Sequence, residues 1–275
     1  MSAPARTAGP RDAVHPATES LYSERIGDGP VLLLIPGGTG DAASFGALPR
    51  LLAREFTVVT YDRRGFGRSA SGGPVDDDRR LTIDVEDALR LLGDSPGYVL
   101  GSSSGAIVAL HLLARHPERV ARVIAHEPPL IPLLPDAGRW LDLLDDVHAT
   151  YRAEGAATAM RVFSAATGAE PPPGDAPVLA RLASAQDFFF EHELRQYVRQ
   201  VPDLRALKRA KTRLVLAGGR NSDGPGGRLL PYRPNQVLAS RLGLSITEFP
   251  GAHAGYLTHP AEFAALIRSV LTPAR

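Results

Sequence analysis

The chain has 275 residues and a formal net charge of +1; 44% of its residues are hydrophobic, 22% are charged and none is cysteine. That length supports one large core with an inserted subdomain, or two small domains. Balanced charge gives no electrostatic reason to expect nucleic acid or an anionic membrane surface as a partner, and a chain without cysteine has no disulfides, no thiolate nucleophile and no thiolate metal site.

The first 18 residues are rich in Ala, Pro and Arg and contain no apolar h-region, so they read as a flexible tail rather than a secretory signal. No later apolar run approaches the roughly 20 residues of a membrane-spanning helix, and we expect a cytoplasmic protein, consistent with the absence of cysteine. Short β-branched and Leu-rich runs predict strands at 31–35, 57–61, 98–100, 122–126, 213–217 and 245–249. Between them, helical patterns fall at 45–54, 83–92, 104–115, 235–242 and 261–271. Such alternation predicts an α/β fold with a mostly parallel central sheet flanked by helices.

The alternation stops between 131 and 211, where the patterns are helical only (138–152, 156–166 and 177–200), with Pro171-Pro172-Pro173 as a separator. The simplest reading is an inserted helical lid at 131–211, with the core formed by 19–130 and 212–275. The insertion carries Trp140, Tyr151, Phe163, Phe188, Phe189, Phe190 and Tyr197. Most of these rings are expected to pack within it. The three consecutive phenylalanines cannot all face one way on a helix, so at least one should reach the cleft or the sheet.

Three local patterns carry chemistry. Gly101-Ser102-Ser103-Ser104-Gly105 follows a predicted strand and opens a predicted helix. A serine at so tight a strand-to-helix turn is pushed above the sheet, and the residues two before and two after it must be small. Gly101 and Gly105 satisfy this for Ser103; an elbow centred on Ser104, flanked by Ser102 and Ala106, satisfies it less well. The second pattern is Pro36-Gly37-Gly38-Thr39-Gly40, after the first core strand. It lacks the Lys-Ser/Thr pair and the spacing of a phosphate loop. We expect the N–H groups of Gly38 and Ser104 to form an oxyanion hole, each donor worth about 3–4 kcal/mol in a transition state. The third is Gly251-Ala252-His253-Ala254-Gly255, after the last strand. A histidine between small residues on a late loop is placed to act as base toward Ser103 and then as acid. His15 lies in the tail, His148 and His192 in the insertion, His111 and His116 along one helix, and His259 before Pro260; each has a structural explanation.

Together these patterns, with Tyr61-Asp62-Arg63-Arg64-Gly65-Phe66-Gly67-Arg68-Ser69, resemble the α/β-hydrolase family over nearly the whole chain after the tail. The resemblance implies a serine hydrolase acting on an ester, lactone or thioester, like lid-bearing esterases and lactonases, with no metal or organic cofactor and a small, partly hydrophobic substrate. It also implies that the 62–69 stretch is a structural turn. Serine at the elbow departs from epoxide hydrolases and haloalkane dehalogenases, which use Asp there. The family's usual carboxylate, in the loop after the penultimate strand, falls on Asn221. Three readings stay open. Asp223 reaches His253 through a shifted loop; or Glu127, in Ala125-His126-Glu127-Pro128-Pro129, supplies the acid; or there is none. In the last case the protein is a weakened hydrolase, or the fold serves non-hydrolytic chemistry (cyclisation, elimination, acyl transfer or carbon–carbon cleavage) or only binds a ligand. Neither the oligomeric state nor the substrate is legible.

Overall fold

Seven strands form the main sheet in the computed structural model, which describes residues 21–69, 73–168, 176–224 and 227–271. The predicted tail and the Pro171–Pro173 separator lie outside the described residues. The strands are β1 (Ser23–Ile26), β2 (Val31–Ile35), β3 (Thr57–Tyr61), β4 (Gly97–Ser102), β5 (Val120–His126), β6 (Leu214–Gly219) and β9 (Ile246–Phe249); a separate two-stranded ribbon joins β7 (Asp223–Gly224) to β8 (Gly227–Arg228). The order across the sheet is β1-β3-β2-β4-β5-β6-β9, parallel except for β1, which runs antiparallel to β3. The six predicted strands all form. Sequence reading missed β1, an edge strand of mostly exposed, polar residues with none of the apolar signature of the buried strands.

Helices α1 (Leu48–Leu52), α2 (Arg80–Leu92), α3 (Ser104–Arg115), α4 (Ala137–Glu154), α5 (Ala156–Thr167), α6 (Ala176–His192), α7 (Leu194–Val198), α8 (Leu204–Arg209), α9 (Arg233–Leu242), α10 (Gly255–Thr258) and α11 (Pro260–Leu271) follow in chain order. The two-residue period of a strand sends alternate side chains to opposite faces. Leu33, Ile35, Val59 and Val99 join the core under α2, α3 and α9, whereas Leu32, Leu34, Val58 and Leu100 join the core under α1 and α11. Both faces are covered, which is why these strands read as continuous apolar runs.

Between β5 and β6 the segment α4–α7 builds a third core from Leu144, Val147, Ala159, Phe190, Leu194 and Val198. Helix α8 differs: its Leu207 packs into the core beneath α3. The single helix predicted over 177–200 is broken at Glu193. The three phenylalanines diverge. Phe190 is fully buried in the segment's core, Phe189 faces a cavity, and Phe188 packs against Phe66 at 4.7 Å between ring centroids. Among the described residues no helix is long and apolar enough to cross a membrane.

Candidate active site

The C-terminal ends of the parallel strands converge beneath the α4–α7 segment, where ligands of open α/β sheets bind. Ser103 sits between β4 and α3 with φ 55° and ψ −125°. Its N–H donates to the His126 carbonyl at 2.9 Å, which holds the turn. The turn leaves no space for side chains on either flank. A methyl on Gly101 would lie 2.3 Å from the Gly105 carbonyl oxygen, and one on Gly105 would lie 2.3 Å from that of Ile35. Ser104, the other possible centre, is simply the first residue of α3.

Among the described residues only two non-glycines have a left-handed φ, Ser103 and Glu127 at 49°. Such backbone costs on the order of 1–3 kcal/mol and persists where its surroundings impose it, commonly at functional sites. Glu127 leaves β5, is fixed by its N–H bond to the Ala217 carbonyl at 3.0 Å, and is fully buried. Its Oε1 accepts from the Gly219 N–H (2.8 Å) and the Ser222 hydroxyl (2.6 Å), while Oε2 lies 2.5 Å from His253 Nδ1. Burial pushes the Glu127 carboxyl pKa up. The hydrogen bond and charge of His253, the neighbouring His126 and the Ser222 hydroxyl outweigh that and bring it down to about 2. The group is therefore an acceptor-only carboxylate, so Nδ1 carries the proton it donates and Nε2 of a neutral His253 is left as a proton acceptor.

Asp223 is not the partner of this histidine. It lies in the exposed β7–β8 ribbon, 3.5 Å from Arg228, and the Nδ1 it would have needed is held by Glu127. The shifted-loop reading is thus corrected. Asn221 points no carboxylate-like group inward either: it is exposed, and its N–H bonds to the Gly251 carbonyl at 2.9 Å. The loop after β6 instead contributes donors, the Gly219 N–H and Ser222, to an acid from the neighbouring strand. Ser222 escaped sequence reading because a serine in a Gly-rich loop carries no signal of its own.

Ser103, Ser104, Gly38, Thr39 and His253 line one cavity of about 280 Å³. Its remaining walls come mostly from the insertion, including Leu144, Met160, Phe163, Phe189 and Leu194, with Ser164, Thr167 and Gln186 among the polar exceptions. Glu193 and Tyr197 also line it, but Glu193 is consumed by Arg63 and the Tyr197 hydroxyl donates to Asp84 at 2.6 Å. Burial pulls the Arg63 pKa down; the Glu193 and Asp84 carboxylates win and hold it well above its ordinary value. Beside the site, His126 is fully buried against Phe249, Tyr256 and Phe263, and burial lowers its pKa to about 4. His126, Glu127 and His253 bring potential ligand atoms within 4.8 Å of one another. The 2.5 Å contact between two of them is shorter than the span of two metal–ligand bonds of about 2 Å each, so this is the geometry of a hydrogen bond.

A family model described as the alpha/beta hydrolase fold matches residues 30–204. The chain belongs to the α/β-hydrolase family. It is 35% identical over 261 residues to an uncharacterized hydrolase, YraK, of Bacillus subtilis (strain 168), with 92% of each chain covered. A zearalenone hydrolase of Bionectria ochroleuca is 29% identical over 257 residues, covering 88% of this chain and 90% of that one. Among solved structures, a thermophilic esterase from Thermogutta terrifontis superposes with a TM-score of 0.71 at 19% identity, covering 91% of this chain and 92% of that one. That last likeness concerns the fold. The family and its relatives make this α/β-hydrolase a hydrolytic enzyme.

Proposed function

We propose that this enzyme is a serine hydrolase that cleaves an ester, lactone or thioester through an acyl-enzyme on Ser103. The observation that carries the reading is the His253–Glu127 contact of 2.5 Å opening on the cavity that holds the strained Ser103. Ser103 Oγ attacks the substrate carbonyl carbon while His253 Nε2 takes its proton. The tetrahedral oxyanion is held by the N–H groups of Gly38 and Ser104, neither of which bonds to a backbone carbonyl among the described residues. His253 returns the proton to the departing alkoxide or thiolate, leaving Ser103 acylated. Water then attacks the acyl carbon, giving its proton to His253 and restoring Ser103 as the acid product leaves. Glu127 orients the ring and stabilises the imidazolium formed in each half-reaction, without itself accepting the proton.

Within the predicted 131–211 insertion, the α4–α7 part acts as the lid, whereas α8 belongs to the main core. Its apolar walls suit an uncharged, partly hydrophobic small molecule, since the carboxylate that lines the cavity is already neutralised by Arg63. The cysteine-free chain suits a reducing cytoplasm.

The test is labelling by a fluorophosphonate probe, followed by assays on p-nitrophenyl esters, lactones including zearalenone, and thioesters. Thioester cleavage can be followed with a thiol reagent free of protein background, because the chain has no cysteine. Wild type should be labelled and active, and Ser103→Ala and His253→Ala should lose both properties. Folded wild type that resists the probe and turns over none of the panel would overturn the assignment.

A further inference from the structure

Arg63 is fully buried, one residue past the Asp62 that anchors the 62–69 turn. Its Nη2 donates to the Gly37 carbonyl at 2.7 Å and to both Glu193 carboxylate oxygens at 2.8 and 2.7 Å; its Nη1 donates to Asp84 at 2.8 Å. Asp84 is shared with Arg80, at 3.1 Å, and with the Tyr197 hydroxyl. The cluster holds two cations and two anions away from water, and it costs stability unless it is fully paired.

The bond to Gly37 has a geometric consequence. The Gly37 carbonyl and the Gly38 N–H belong to the same peptide group, which is planar with its C=O and N–H pointing in opposite directions. The same carbonyl also accepts from the Gly40 N–H at 2.9 Å, so two donors fix it, and fixing the carbonyl fixes the direction of the Gly38 N–H. A cation on the carbonyl oxygen also polarises the peptide and makes the N–H a stronger donor. Glu193 ties that cation to the insertion, because it sits at the break between α6 and α7, whose side chains line the cavity.

We propose that Arg63 is the positioning residue of the oxyanion hole, and that Glu193 makes the hole depend on the seating of α6–α7. The proposal rests on the serine-hydrolase reading. When the segment docks, Glu193 holds Arg63 against the Gly37 carbonyl and the Gly38 N–H faces the reacting carbonyl. When it lifts, Arg63 loses its main counter-ion and the Gly37 carbonyl is left with the Gly40 N–H as its remaining donor.

The test measures kcat and KM on a p-nitrophenyl ester, together with the inhibition constant of a trifluoromethyl ketone, which forms a tetrahedral oxyanion on the serine. Removing one member of the cluster strands a buried charge, so the main variant is the double Arg63→Met/Glu193→Met; replacing such a pair with apolar side chains commonly preserves folding. We expect kcat to fall roughly ten- to hundredfold, KM to stay within about threefold, and the ketone to weaken by the factor lost in kcat/KM. Arg63→Lys, which keeps a charge for Glu193 but loses the planar fork, should show the same split in smaller measure and serves if the double variant does not fold. A folded variant whose kcat per fluorophosphonate-labelled site and ketone affinity both match wild type overturns the positioning role. If wild type is not labelled at Ser103, the nucleophile assignment falls and this one falls with it; labelled wild type beside unaffected variants sinks this one alone.

Discussion

Glu127 leaves β5 with its backbone turned left-handed, and that turn swings its carboxylate under the loop after β6. The position one strand over, where an acid was expected, holds an exposed Asn221 instead. In the proposed mechanism Glu127→Gln is more damaging than loss of charge alone. The amide oxygen still satisfies Gly219 and Ser222, which leaves the NH2 facing His253 Nδ1. Nδ1 must then accept, the proton moves to Nε2, and the base cannot take the Ser103 proton. We expect kcat to drop by about 10³–10⁴, whereas Asp223→Ala in its exposed ribbon should change it less than about twofold. Steady-state kinetics on the same ester decide between the two carboxylates. Sequence reading left Asp223, Glu127 and no acid at all as open choices, because the choice depends on which strand end lies beside the His253 loop.

At the scale of elements, the β4–α3 elbow was legible almost residue by residue. Its requirements are local: two glycines, a strand before and a helix after, all between Gly97 and Arg115. A Gly105→Ala change places a methyl against the Ile35 carbonyl of a neighbouring strand. It should cost about 2–3 kcal/mol in urea unfolding and reduce probe labelling by displacing Ser103. Helix α3 itself would tolerate alanine well, so a neutral outcome would mean that the strand gives way instead. The break at Glu193 was not legible. Residues 177–200 have good helical pattern throughout, and the interruption coincides with the pairing of Glu193 to Arg63, 130 positions earlier in the chain. The edge strand β1 was missed for the opposite reason, since it has no apolar pattern and is defined only by pairing with β3.

For the molecule as a whole, buried titratable groups set an acid limit on stability. Burial lowers both His111 and His126 to about 4, from an ordinary value of 6.5. The unfolded chain therefore binds protons at a higher pH than the folded one. Each group's contribution is intact above about pH 6.5 and is lost as the pH falls toward 4, at up to about 3 kcal/mol apiece. Glu127, with its pKa lowered to about 2 from an ordinary 4.5, adds a further loss as the pH falls from about 4.5 to 2. The Tm should be level near neutrality and fall steadily below about pH 6.5. His126→Phe, in a pocket already lined by Phe249, Tyr256 and Phe263, should shrink the loss between pH 6.5 and 4. An unchanged slope in thermal scans of that variant would show that His126 does not titrate as described.

By itself the sequence determined the parallel α/β core, the Ser103 elbow, the glycine loop and the late His253, because each is written in neighbouring residues whose spacing follows from strand and helix geometry. Only the tertiary structure decided which carboxylate meets His253, that Ser222 steadies it, and that Arg63 joins the glycine loop to the insertion. Those contacts join residues roughly 26 to 130 positions apart in the chain. They are fixed by the order of strands in the sheet and by how the insertion folds back over it, which local periodicity does not encode.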